Sequence, residues 1–243
     1  MFFRRYKFMH GFIGEFFGTM ILTALGCGIG AGINLKNTYN RSQNWLFVSL
    51  GWGLAITFGV YVAGTLGSQG FINPAITLGS AIFGLFPWSN VLPYLAGEFL
   101  GAFVGAALVL IQYYPHFKAS KNEAEGNSVG IFATAPAINS PIFNLLSEII
   151  ASFIFIFTLL NLGNFTQGLK PLIVGLIITV IGMALGGTTG FAVNPARDWG
   201  PRLAYTILPV PNKGKANWAY AWVPMVGPII GGILAAALRV VLM

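Results

Sequence analysis

Long apolar segments dominate this chain, and short polar or glycine-rich stretches separate them. Six segments approach the roughly 20 residues that a membrane-spanning helix needs. They run from about Gly11 to Ile33, Asn44 to Ala63, Trp88 to Tyr113, Pro141 to Leu162, Pro171 to Leu185 and Trp218 to Val241. A further apolar piece begins at Asn73 and lasts only about ten residues, too short to span and suited to a re-entrant half-helix. A glycine-rich break from Gly64 to Ile72 leads into it. A second break, from Gly186 to Gly190, leads into Asn194 in the same way. Irregular backbone at membrane depth is tolerated where it is buried or lines a water-filled cavity.

The segments fall into two halves, 11–114 and 141–243, joined by a polar connector at 115–140 that holds Lys118, Lys121, Glu123 and Glu125. Each half runs span, span, half-helix, span. Three full spans is an odd number, so the second half sits inverted relative to the first, an arrangement used in membrane transport. The expected fold is an all-α polytopic membrane domain of six transmembrane helices plus two re-entrant half-helices, as an inverted repeat. Gly97-x-x-x-Gly101 in the third span and Gly227-x-x-x-Gly231 in the sixth mark close helix crossings. The Gly26-Cys27-Gly28-Ile29-Gly30 run lacks the strand-turn-helix setting of a nucleotide loop and reads as helix packing.

Composition agrees with a membrane class. Of 243 residues 56% are hydrophobic and only 8% charged, where a soluble protein is roughly a quarter charged. The net charge of +7 lies in the N-terminal tail and loops rather than in one stripe, which argues against a nucleic-acid partner. The single cysteine, Cys27, excludes an internal disulfide and a cysteine metal cluster. Two histidines and one cysteine supply no nucleophile-base or metal constellation, so neither an enzyme, a metal nor a cofactor is expected. His116 reads as a solvated loop residue. Arg4, Arg5, Lys7, Lys170 and Arg239 fall on the side of the termini. Lys36, Arg41, Lys118, Lys121, Arg202, Lys213 and Lys215 fall on the other, so the raw count does not place the termini inside.

Candidate chemistry gathers at Asn73-Pro74-Ala75 and Asn194-Pro195-Ala196. One such triplet alone is an ordinary helix start, since Asn caps well and Pro fits the first helical position. Two copies, one per half, bring two half-helix N-termini together at the midplane, each with roughly half a positive charge. That pair of ends repels cations, protons included. The Asn amides offer donors, and the irregular stretches offer the carbonyls of Gly70, Phe71, Ile72, Gly190, Phe191 and Ala192. A ladder of this kind suits a neutral, hydrogen-bonding solute. Arg197, one turn past Asn194, adds donors that never deprotonate. Glu15 and Glu148, near the starts of the first and fourth spans, are expected to brace the glycine-rich loops by accepting from backbone N–H groups. The alternative is a proton-coupled secondary transporter, with Glu98 as its best protonatable residue.

On the two Asn-Pro-Ala copies and Arg197, the chain resembles the aquaporin superfamily over nearly its whole length. Asn-Pro-Ala-Arg-Asp, ending at Asp198, resembles the glycerol-facilitator (aquaglyceroporin) branch. The resemblance implies a selectivity filter of Trp52, Gly182, Phe191 and Arg197, in which Gly182 keeps the opening wide. It implies branch markers at Tyr113, Asp198, Arg202, Pro224 and Met225. It further implies a homotetramer with one pore per subunit, in the plasma membrane, with cytoplasmic termini. Phe71 stands where the family has His, and Gln69 where it has a small residue. The solutes left open are glycerol, dihydroxyacetone, urea, hydrogen peroxide and protonated small acids, alongside water.

Overall fold

The computed structural model describes residues 2–121, 128–163 and 168–243, with side chains from residue 10 onward. Among the described residues every regular element is a helix. In chain order they are α1 (Phe2–Asn34), α2 (Trp45–Thr65), α3 (Pro74–Ile82), α4 (Val91–Gln112), α5 (Tyr114–Ala119), α6 (Val129–Phe132), α7 (Pro141–Leu160), α8 (Leu169–Leu185), α9 (Pro195–Ile207) and α10 (Trp222–Val241). A 3-10 turn, Trp88–Asn90, leads into α4. Helices α1, α2, α4, α7 and α10 are long and apolar enough to cross a membrane. Helix α8 is equally apolar and has 17 residues, the lower end of the length that spans.

Local sequence sets the boundaries. Asn44 caps α2 by accepting from the Phe47 N–H at 3.1 Å. Pro141 opens α7 at a position where its missing N–H costs nothing. α2 and α8 both stop at a glycine-rich break, because glycine is a poor helix former. Two helix starts and the connector differ most from expectation. α1 begins at Phe2, well ahead of Gly11. α10 begins at Trp222 rather than Trp218, because the turn bonds Tyr220 N–H to Asn217 O and Ala221 N–H to Trp218 O occupy the intervening residues. The connector is not a plain loop, since it carries α5 and α6; residues 122–127, with Glu123 and Glu125, lie outside the described residues. His116 sits on α5 with Nδ1 2.9 Å from the Lys36 carbonyl, so it ties α5 to the end of α1 instead of standing in solvent.

Packing repeats in the two halves. α1 lies along α4, α7 lies along α10, and α2 crosses α8. The half-helices exchange partners: α3 packs on α10 and α9 packs on α4. Glycine permits each approach. A Cβ on Gly97 would stand 2.6 Å from the Phe12 carbonyl oxygen, and one on Gly231 would stand 2.6 Å from that of Ile149. One on Gly79 would stand 2.7 Å from the Gly232 carbonyl oxygen, and one on Gly200 2.5 Å from the Ala102 Cβ. In lipid, helix association rests on such van der Waals contact rather than on a hydrophobic driving force. Gly101, whose added Cβ would overlap the Phe16 carbonyl oxygen, gives the test. Gly101→Leu should cost at least the ~1–3 kcal/mol of overpacking and lower the thermal midpoint of the detergent-solubilised protein. Gly28→Ala, which meets nothing within 4 Å, should leave that midpoint unchanged.

Candidate functional site

At the centre the two half-helices start from Asn73 and Asn194, which share one extended backbone conformation. The Asn73 side-chain oxygen accepts from the Ala75 N–H at 2.9 Å. That of Asn194 accepts from the N–H groups of Ala196 and Arg197 at 3.0 and 3.2 Å. The amide nitrogens cross over. Asn73 Nδ2 donates to the Val193 carbonyl at 2.9 Å, and Asn194 Nδ2 donates to the Ile72 carbonyl at 2.7 Å. An amide group has two N–H donors, so one of each is committed to the opposite loop and one is left for a solute. The Ile72 carbonyl is likewise engaged rather than free, and Val193 is its counterpart in the other half.

This crossing needs unusual backbone. Ile72 and Val193 both have φ +44°, and Phe191 has φ +39°. For β-branched residues this left-handed conformation is an outlier worth roughly 1–3 kcal/mol each. Three buried carboxylates hold it. Glu15 accepts from the N–H groups of Phe71 at 3.1 Å and Ile72 at 2.5 Å. Glu148 accepts from Ala192 N–H at 3.0 Å, Val193 N–H at 2.9 Å and Thr189 Oγ1 at 2.6 Å. Glu98 accepts from Asn73 N–H at 3.2 Å and Thr77 Oγ1 at 2.6 Å, which places it behind the first loop and not in a pathway.

Beside the loops runs a cavity of about 460 Å³. Of its lining residues Gly64, Gln69, Leu85 and Lys170 are exposed, whereas the lining also includes the buried Trp52, Phe191 and Arg197. These last three are 5%, 3% and 8% exposed, so Trp52 faces inward and is not a lipid-belt aromatic. The Arg197 guanidinium lies 3.8 Å from the centre of the Trp52 ring, a cation–π contact. Among the described residues no acceptor takes its N–H groups. Of the expected pore residues, Gly70, Phe71, Ile72, Asn73, Phe191, Ala192, Asn194 and Arg197 line this cavity. Pro74, Ala75, Pro195 and Ala196 sit behind the two asparagines as the first turns of α3 and α9. Gly190 is set back, its N–H donating to the Gly186 carbonyl at 2.9 Å.

Gly182 is also behind the wall. A Cβ there would stand 2.9 Å from Ser49 Oγ and 3.0 Å from Phe191 Cζ. The room that glycine leaves is therefore filled by the Phe191 ring, not left as open passage. Trp45 backs the same corner: its Nε1 donates to the Gly182 carbonyl at 2.8 Å, and its ring meets that of Phe191 edge-on at 5.7 Å. Phe71, where the resemblance leads one to look for His, packs its ring 5.0 Å from Phe86 and 5.6 Å from Tyr94. The Tyr94 hydroxyl accepts from the Gln69 N–H at 2.9 Å.

The five branch positions lie outside the cavity wall. Asp198 and Arg202 form a fully buried ion pair at 2.8 Å. Asp198 Oδ2 accepts from Thr134 N–H and Oγ1, both at 2.7 Å. Arg202 donates to the carbonyls of Thr134, Ala216 and Asn217. The pair thus stitches two loop segments onto α9, and Arg202 is not the loop charge that the orientation count took it for. Tyr113 ends α4 with its ring 5.8 Å from His116. Pro224 is buried and Met225 half-buried in the first turn of α10.

Membrane-spanning helices around two half-helices joined at their N-termini define a multi-pass membrane protein of the aquaporin fold. The family model described as Major intrinsic protein matches residues 2–239, and the chain belongs to that family. It is 69% identical over 234 residues to the glycerol uptake facilitator protein 2 of Lactiplantibacillus plantarum, covering 96% of this chain and 100% of that protein. It is 47% identical to the glycerol uptake facilitator protein of Streptococcus pneumoniae serotype 4, covering 93% and 97%. A D/L-lactic acid transporter of L. plantarum is 39% identical, covering 94% and 95%. Among solved structures, the aquaglyceroporin from Plasmodium falciparum superposes with a TM-score of 0.80 at 32% identity, covering 95% and 94%.

Sequence reasoning missed Glu98 as a brace, and it missed Thr189, Thr134 and Trp45. Their partners are distant in the chain, and only the parallel placement of Glu15 and Glu148 hinted at braces. Removing one brace tests their role. Glu148→Ala strips the acceptor from three buried donors, each worth roughly 1–3 kcal/mol when orphaned. The variant should fail to accumulate or melt several degrees lower in detergent, and Glu148→Gln, which keeps an oxygen, should lose less. A Glu148→Ala protein with the parental midpoint would contradict the assignment.

Proposed function

We propose that this chain is a passive transmembrane channel for glycerol and other small neutral solutes, with water, and that it excludes protons and ions. One observation carries this: the cavity lining divides by element. Helices α1, α2, α7 and α8 bring the apolar side chains of Leu22, Ile56, Val60, Phe155, Val174 and Ile178. The loop stretches 69–73 and 191–194, with Arg197, bring polar groups. Glycerol has hydroxyls along one edge and C–H groups along the other, so it can keep hydrogen bonds while its carbon edge leaves water. Trp52, Phe191 and Arg197 repeat that division among the buried lining residues. Two relatives named glycerol uptake facilitators support the same solute.

The ends of α3 and α9 meet with their partial positive charges facing, which disfavours cations at the centre. A proton-coupled carrier is not supported, since among the described residues no Asp, Glu or His lines the cavity. The whole chain acts as one channel domain, with 11–114 and 141–243 as inverted repeats about the 115–140 connector. The matched pairs α1–α4 and α7–α10 support that division. Plasma-membrane residence, cytoplasmic termini and a homotetramer belong to the same proposal. So do dihydroxyacetone, urea, hydrogen peroxide and protonated small acids as further solutes. The lactic acid transporter among the relatives favours the acids, because a neutral three-carbon hydroxy acid has a similar pair of edges.

Gly182→His tests the filter. The ring would displace Phe191 and put a polar group into the apolar corner. Glycerol would lose hydrogen bonds or apolar contact that water does not need. With ~1–3 kcal/mol per unreplaced bond, glycerol flux should fall at least about tenfold more than water flux. Stopped-flow light scattering of matched proteoliposomes measures both. An equal fall, or none for glycerol, would overturn the assignment of the Phe191 corner backed by Gly182 as the filter.

A further inference from the structure

We propose that Gly26, on α1, is a fifth position that sets solute selectivity, acting through Trp52 as a positioning residue. It rests on the filter assignment above. Gly26 is away from the cavity wall and carries no polar group, yet a Cβ there would overlap Cε3, Cζ3 and Cη2 of the Trp52 indole. No other glycine of the Gly26-Cys27-Gly28-Ile29-Gly30 run meets a pore side chain. Gly28 meets nothing within 4 Å, and Gly30 meets the Ile131 backbone at 3.2 Å.

The contact is transmitted. One side of the indole rests on Gly26, and its face carries the Arg197 guanidinium at 3.8 Å. Among the described residues no hydrogen-bond acceptor holds that guanidinium, so its position follows the ring. Restoring ordinary contact beside a methyl at position 26 requires the ring to move by on the order of 1 Å. The same ring lines the cavity and carries Arg197 over its face, so displacing it alters both. A shift of that size is small against a lipid-facing helix and large against a passage one solute wide. Gly26 therefore fixes the separation of the filter's aromatic and cationic walls from behind.

The test is a double-mutant cycle in proteoliposomes, reading the ratio of glycerol to water permeability with protein content matched. Gly26→Ala should lower the ratio about tenfold or more, equivalent to ~1.4 kcal/mol, and Gly28→Ala should leave it unchanged. In a Trp52→Phe background, where the overlapping benzo ring is gone, Gly26→Ala should have no further effect. The proposal is overturned if folded Gly26→Ala keeps the parental ratio, or if its effect is the same in both backgrounds. Should Gly26→Ala alone fail to accumulate, yield and thermal midpoint decide. Recovery in Gly26→Ala/Trp52→Phe supports the contact, and continued loss overturns it. Trp52→Phe by itself reports on the filter: if it leaves the ratio unaltered, the filter assignment fails, whatever position 26 does.

Discussion

A backbone that leaves its helix at membrane depth must find partners for every N–H and C=O, because no bulk water is there to supply them. This chain meets that constraint by exchange. Asn73 of the first half donates to the Val193 carbonyl, and Asn194 of the second half donates to the Ile72 carbonyl. The N–H groups of Val193 and Ile72 go to Glu148 and Glu15. Each loop is thus satisfied partly by its own half's carboxylate and partly by the other half's asparagine. The two half-helices are thus tied to each other, through Ile72 and Val193 in a left-handed φ.

The distribution of acidic residues follows from this. Glu15, Glu98, Glu148 and Asp198 are all fully buried, and each accepts hydrogen bonds from a loop. Carboxylates here hold geometry and stay out of the cavity, whose lining is aliphatic, aromatic and backbone with the side chains of Gln69, Asn73, Ser80, Lys170, Asn194 and Arg197. On the proposed function, selectivity depends on the spacing of a few groups: the Trp52 ring against Arg197 and the Phe191 ring over Gly182, with Gly26 against the indole and Trp45 bonded to the Gly182 carbonyl.

Much of this was legible in the sequence, for physical reasons. Apolar segment length reports spans directly, and the paired Asn-Pro-Ala triplets located both half-helices to within a residue. Gly-x-x-x-Gly spacing marked close crossings on the third and sixth spans, and the structure supplies their partners, α1 and α7. Contacts between residues far apart in the chain were not legible. Nothing near Gly182 in sequence says that Phe191 will fill its space, and nothing near Glu98 says that it will meet Asn73 and Thr77. The helices inside the connector were hidden for another reason: α5 and α6 are short, and tertiary contacts such as His116 on the Lys36 carbonyl hold them. Arg202 looked like a surface charge because its partner Asp198 became visible only as an i, i+4 pair buried on α9.

On the proposed function, two joined half-helix N-termini let neutral solutes pass while stopping charge. The decisive measurement is simultaneous recording of glycerol-driven volume change and membrane current in voltage-clamped cells expressing the protein. Swelling should scale with expression while the current under a proton or potassium gradient stays at the level of control cells. A proton or cation current that rises with expression would contradict the claim.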